Sequence, residues 1–354
     1  MALGSAGAIV RLGESGAMRR RLLDIGFTQG AQVRCELASP SGDPRAYRIR
    51  GAVIARKTPE TFLWRDSMSR ADTSCVIALA GNPNVGKSTL FNRITGLRQH
   101  TGNWPGKTVE IAQGTAKADG SVRVVDLPGA YSLIAHSKEE EVARDFLLFE
   151  RVDVVVVVCD ATCLARNLNL ALQALEMGKR CVVCVNLLDE AQRNHISLDL
   201  PRLEALLGVP VVGASARGNR GVGELLRRAR DCPAPRRAPD IEYPTPIARA
   251  VDAVAAHMSA GAWNQRYIAL RLLEGDGAFL DRLSAALEWD PRADAALWGA
   301  VEEARADLER QGLGGGAWCE RVVSALVETA EAIGAASVTQ LRSAAGRREQ
   351  RLDR

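Results

Sequence analysis

Aromatic residues are scarce in this chain of 354 residues: Phe, Trp and Tyr together make up 5% of it. A surface that stacks unpaired bases needs such rings, so recognition of single-stranded RNA in that way is disfavoured. Long apolar runs are lacking too. None is longer than the run Val154 to Cys159, which falls far short of the ~20 residues that cross a bilayer and suits a buried strand. The N-terminus, MALGSAGAIVRLGESG, has no basic stretch followed by an apolar core, so no signal peptide is read and a soluble chain is expected. Neither sign of charge dominates. The net charge of +4 is too diffuse to name a nucleic-acid partner. The eight cysteines show no disulfide-scaffold rhythm, which favours a reducing cytosol. His100, His136, His195 and His257 are not paired at metal-ligand spacing.

What is present falls into three textures. Residues 1–66 hold short β-like runs (Gln32–Leu37, Ala46–Arg50, Gly51–Arg56, Thr61–Trp64) and one helical patch, Gly16–Ile25, and predict a small β-barrel. Polar residues 67–74 read as a linker. Residues 75–232 alternate strand and helix. Strands are expected at Val76–Ala80, Val122–Asp126, Val152–Cys159, Arg180–Asn186 and Val209–Ala214, with helices such as Lys87–Thr95, Glu139–Phe149 and Asn167–Met177 between them. Continuous valine runs predict strands buried on both faces, the pattern of a parallel α/β sheet. Five of the fourteen prolines (Pro233, Pro235, Pro239, Pro244 and Pro246) mark a second linker, 233–246. Residues 247–354 read as helical with no convincing strand, the last helix being placed over Ser337–Arg354.

The chemistry lies in the middle segment. Gly81-Asn82-Pro83-Asn84-Val85-Gly86-Lys87-Ser88 completes the G-x-x-x-x-G-K-[ST] pattern between a strand and a helix. Such a loop wraps phosphates with backbone N–H groups at a helix N-terminus. Lys87 would reach the β- and γ-phosphates, and Ser88 would ligate Mg²⁺. Thr89 follows in the same turn. Asp126-Leu127-Pro128-Gly129 ends the next strand: Asp126 would hold the metal through water and the Gly129 N–H would approach the γ-phosphate. A nucleotide-switch protein also needs a Thr that completes the Mg²⁺ shell. Thr108 and Thr101 compete, and Thr108 is preferred because the strand Val109–Ile111 follows it directly. In Asn186-Leu187-Leu188-Asp189 the Asp189 carboxylate could accept from guanine N1–H and N2–H₂, a donor pair adenine lacks. Position 187 is Leu where Ras-like proteins carry Lys, which should weaken nucleotide binding. Ala214-Ser215-Ala216, at a further strand end, offers a backbone N–H to guanine O6. Five elements in this order predict a Ras-like P-loop GTPase domain. The Gln that orients water in Ras-like enzymes is missing, its place being taken by Ala130 and Tyr131.

GNPNVGKSTLFN, TGNWPGKTVE, DLPGAYSL and NLLDEA together resemble the cytosolic G domain of the FeoB family of bacterial ferrous-iron transporters. ALRLLEGD (269–276) is similar to the helical, dissociation-inhibitor-like domain that follows it, and MRRRLLDIGFTQGAQV resembles FeoA, a small SH3-like barrel. The resemblance implies a FeoA–FeoB fusion: an SH3-like β-barrel over 1–66, a GTPase domain over 75–232 and an all-α domain over 247–354. It implies GTP/GDP with Mg²⁺ as ligands, and K⁺ at Asn84 in place of an arginine finger, capped by the loop around 98–108. Lys107 departs from the Val common at its position. The family's membrane domain is implied as a partner at the cytoplasmic face of the inner membrane, with a homo-oligomer left open and no nucleic acid expected. Arg342, Arg347, Arg348, Arg351 and Arg354 crowd the end of the chain, as residues preceding a membrane helix do; a solvated helix end is the competing reading.

Two other readings stand beside it. An Era-type, ribosome-associated GTPase would need a nucleic-acid module after the G domain, and no RNP aromatics or long basic run follow. Residues 1–66 could also serve chiefly to recruit a partner. Cys181 and Cys184 are expected to face opposite sides of a strand as core residues, and Cys159 and Cys163 to be packing residues.

Overall fold

The computed structural model describes residues 6–12, 32–38, 45–49, 52–56, 62–66, 75–96, 99–103, 109–134, 137–233, 241–258, 264–287 and 289–340. The chain separates into two compact units near Thr73. The first is a five-stranded antiparallel sheet of β1 (Ala6–Leu12), β2 (Gln32–Ala38), β3 (Arg45–Ile49), β4 (Ala52–Arg56) and β5 (Phe62–Asp66), in the order β4-β3-β2-β1-β5. β1 was not among the expected strands, and the expected helix Gly16–Ile25 lies outside the described residues.

The second unit is built on a seven-stranded sheet. Its strands are β6 (Cys75–Gly81), β7 (Gln99–Asn103), β8 (Glu110–Thr115), β9 (Val122–Asp126), β10 (Val154–Asp160), β11 (Cys181–Asn186) and, beyond the small strand β12 (Ile196–Leu198), β13 (Val211–Gly213). The order is β13-β11-β10-β6-β9-β8-β7. The first five are parallel, as the valine runs predict. The sheet is nonetheless mixed, because β8 and β7 continue it antiparallel. An edge hairpin needs no crossover helix, so the periodicity of the interior strands does not foretell it.

Helices cover both faces. They are α1 (Lys87–Thr95), α2 (Lys138–Phe149), α3 (Leu164–Glu176), α4 (Leu188–Arg193), α5 (Leu200–Leu207) and α6 (Val222–Arg230). Alternation along β10 divides the core in two: Val154, Val156 and Val158 pack in the layer with Leu90, Phe91 and Leu225, while Val155, Val157 and Cys159 pack in the layer with Leu168, Leu172 and Val142. Cys181 and Cys184 fall in different layers, as a separation of three along a strand requires. Burial pushes both thiols up, Cys184 to about 12, so they stay neutral. Cys163 departs from expectation: it is exposed at the start of α3.

The helices α7 (Thr245–Ala255), α8 (Gln265–Glu274), α9 (Gly277–Leu287), α10 (Ala295–Arg310) and α11 (Ala317–Ser337) share the core layer of α2 and α3. α11 lies along α3. A Cβ on Gly334 would stand 2.8 Å from that of Ala165, so the two helices meet too closely for a side chain there. The last helix expected over Ser337–Arg354 is corrected at its start: Val338–Gln340 forms strand β14, antiparallel to β12. Residues 341–354, with the arginine cluster, lie outside the described residues. Among the described residues no helix is long and apolar enough to cross a membrane.

Candidate functional site

The C-terminal ends of the parallel strands open onto one cleft of about 810 Å³. Its lining includes Asn82, Pro83, Asn84, Gly86, Lys87, Ser88, Thr89 and Gly129 from the two phosphate-side motifs. Asn186, Leu187 and Ala216 line it from the base side. Gly81 and Val85 are buried behind the loop. Ligand clefts of α/β sheets form at this end because the loops there diverge from a rigid sheet.

The loop is held by local backbone geometry. Gly86 adopts φ +83°, and a Cβ on it would stand 2.5 Å from the Asn186 amide nitrogen. Only glycine satisfies both conditions. Asn84 also takes a positive φ of 67°. Helix α1 starts at Lys87, directly after Gly86, so the first N–H groups of the helix open towards the cleft. The Lys87 ammonium is buried, bonded to the Asp126 carboxylate and the Leu127 carbonyl. Asp126 is buried as well, and Ser88 is exposed to the cleft. The Asn82 side-chain oxygen is buried and has no hydrogen-bond partner among the described residues.

On the base side, Asn186 staples two loops together. Its Nδ2 donates to the Val85 carbonyl at 2.9 Å and its Oδ1 accepts from the Ala216 N–H at 3.0 Å. The N–H groups of Ala214 and Ser215 donate to the Val185 and Arg220 carbonyls. All three N–H groups of the expected O6-facing loop therefore have protein acceptors in this structure. Asp189 accepts from Ser215 Oγ at 2.8 Å and from Arg193 at 2.9 Å. The Ser215 hydroxyl, more than the arginine, holds the Asp189 carboxyl below the usual carboxylate range, so it remains an acceptor into mild acid. Leu187 takes φ +62°, a conformation that non-glycine residues avoid, and lines the cleft.

Thr108, Lys107 and Trp104 lie outside the described residues; the rival Thr101 falls on β7. Glu139, Glu190 and Arg217 also line the cleft and were not singled out from sequence. Arg217 pairs with Glu190 at 3.7 Å, and Arg93 of α1 donates to the carbonyls of Ala216 and Arg217. For Glu139 there was a signal: Ser137-Lys138-Glu139-Glu140 is a helix N-terminal pattern, and the Ser137 side chain does cap α2 by accepting from the Glu140 N–H. Among the described residues no group of three or more His, Cys, Asp or Glu could hold a metal ion.

Three family models match the chain. Residues 1–58 match "FeoA domain", residues 75–229 match "Ferrous iron transport protein B" and residues 243–339 match "FeoB cytosolic helical domain". The Fe(2+) transporter FeoB of Salmonella typhimurium is 41% identical over 211 residues, and that of Escherichia coli K12 is 40% identical over 208. Each match covers 56% of this chain but only 27% of the relative, so the chain spans about a quarter of those proteins. Among solved structures, a GDP-bound point mutant of S. thermophilus NFeoB superposes with a TM-score of 0.65 at 31% identity, covering 75% of this chain and 100% of that one. The cytosolic domain of L. pneumophila FeoB gives 0.63 at 29% identity, covering 75% and 99%.

Proposed function

This chain belongs to the FeoB family of ferrous iron transport proteins, and on that premise we propose that it binds guanine nucleotide and hydrolyses GTP to GDP and phosphate. One observation supports the reading: a single cleft is lined by the phosphate loop, Gly129, Asn186, Leu187 and Ala216, with Asp126 bonded to Lys87 and Asp189 bonded to Ser215 behind that lining.

Loop N–H groups and the start of α1 would draw in the phosphates. Lys87, released from Asp126 by the incoming anion, would turn to the β- and γ-phosphates. The Ser88 hydroxyl, which lines the cleft, and the Asp126 carboxylate, now bonded to Lys87, are hard oxygen donors of the kind that suits Mg²⁺, with Thr108 as the further ligand. When bound, that ion would neutralise charge on the phosphates. Asn84, which lines the cleft, would hold K⁺. K⁺ would supply positive charge where no arginine finger or glutamine does.

The measurement that tests this compares turnover of GTP with ATP, each in K⁺ and in Na⁺. GTP is expected to be hydrolysed in preference to ATP, and faster in K⁺. Equal turnover of the two nucleotides would refute the guanine reading. Asp189→Ala should cut the GTP-over-ATP preference at least tenfold, since hydrogen bonds to a charged acceptor contribute about 1.5–3 kcal/mol each. Asn84→Ala should abolish the difference between K⁺ and Na⁺ while leaving nucleotide affinity nearly unchanged; stimulation that persisted would move the ion elsewhere.

We further propose that the chain is the cytosolic regulatory module of an Fe²⁺ transporter at the bacterial inner membrane. Its nucleotide state would be passed to a membrane domain, and the FeoA-like unit would act as internal regulator or recruiter. The divisions 1–66, 75–232 and 247–354 are the proposed domain boundaries. The family and its relatives favour this reading over the ribosome-associated alternative.

A further inference from the structure

Gln173, on α3, has no part in nucleotide binding as described above, yet its side chain is buried at 2% exposure. A buried amide is tolerated only when its hydrogen bonds are met. Its Oε1 accepts from the Leu133 N–H and from Ser132 Oγ, the latter at 3.1 Å, and its Nε2 donates to Asn169 at 3.3 Å. Glu140, also buried, accepts from the N–H groups of Tyr131 and Ser132, both at 3.2 Å. Ser132 Oγ accepts in turn from the Ile134 N–H at 2.9 Å. Four successive N–H groups, 131 to 134, are thus held by side chains. On the outer side the Arg166 guanidinium stands 4.9 Å from the centre of the Tyr131 ring. Arg166, Asn169 and Gln173 recur at i, i+3 and i+7, one face of α3.

This loop directly follows Gly129. Its first residue, Ala130, has no side chain able to orient water. Any catalytic geometry it offers must come from the main chain, and a main chain orients a reactant only when it is itself fixed. We propose that Gln173 is a positioning residue for GTP hydrolysis: by holding the main chain at Ser132 and Leu133, it fixes the loop after Gly129 against the phosphate end of the cleft. The inference rests on the GTP reading above.

The test uses the full chain and steady-state GTP turnover, with GDP affinity and thermal melting measured alongside. Gln173→Met keeps the volume and removes the acceptor. Its kcat is expected to fall about tenfold, with KM for GTP and the affinity for GDP within about twofold of wild type. Ser132→Ala cuts the same link from the other side and should lower kcat in the same direction. The double variant should be no slower than the slower single, because both remove one connection. An unchanged or raised kcat in either folded variant, a loss confined to KM, or additive losses in the double variant would overturn the proposal. If Gln173→Met does not fold, Ser132→Ala decides alone. A wild-type chain that fails to hydrolyse GTP would refute the GTP reading instead.

Discussion

Replacing Lys87 with alanine is expected to lower GTP turnover at least a hundredfold, the largest effect of any single change at the cleft. A buried ammonium acting on phosphate oxygens is worth more than it would be in water, because the site is shielded from solvent. A hundredfold loss corresponds to about 2.7 kcal/mol of transition-state stabilisation. The substitution has a second consequence. Lys87 now neutralises Asp126, and its removal leaves that buried carboxylate with no ammonium beside it. Mg²⁺ at Asp126 would compensate for the missing charge. The variant should therefore melt below wild type without Mg²⁺ and nucleotide, and regain part of the difference with them. Phosphate release and melting curves, each with and without Mg²⁺, check both halves. Turnover that survived the substitution would refute the role given to the loop.

The second large effect is on stability. Asp145 of α2 is fully buried, with Arg144 at 3.0 Å and Arg282 of α9 at 2.9 Å. Arg144 is also buried, 3.6 Å from Asp276 and stacked 4.8 Å over the Phe279 ring. Asp145→Ala would leave the Arg144 guanidinium in the interior without its nearest carboxylate. Breaking a buried pair from one side costs about 3–5 kcal/mol. An exposed pair such as Arg266–Asp252, where both side chains are at least half exposed, should cost about 1 kcal/mol or less when broken. Urea unfolding of Asp145→Ala beside Asp252→Ala reads the contrast, and equal costs would show that the Asp145 cluster does not tie α2 to α9. Hydrogen exchange in Asp145→Ala should rise first in α9, the element Arg282 anchors.

Several features were legible without coordinates because their causes are local. The phosphate loop depends on glycines and a lysine at fixed spacing, and a strand before it and a helix after it could be read from adjacent residues. The valine run of β10 announced a strand covered on both faces. By contrast β14 is three residues long and pairs with β12, which lies far back in the chain. A run that short carries no periodicity, so the helix expected there followed only from its neighbours. Cys163 resembled a packing residue by its company, yet the turn into α3 leaves it at the surface. Gln173 had no signal at all, since a glutamine in a helix reads as a solvated residue until a distant loop is laid against it.

The amino-acid order by itself marked which groups are expected to meet a nucleotide: an anion-binding loop with its lysine, a carboxylate proposed for the base, and no glutamine after Gly129. These follow from residue type and short-range spacing. Tertiary structure alone decided how those groups are engaged. It placed Lys87 on Asp126, spent both ends of the Asn186 amide on stapling two loops, set Ser215 to hold Asp189 ionised, and brought Glu140 and Gln173 from two helices onto one loop. Apart from that of Glu140, eight or nine residues from its partners, each of those contacts joins residues far apart in the chain. Only the packing of helices on a common sheet brings such residues within hydrogen-bonding distance, and local sequence carries no record of it.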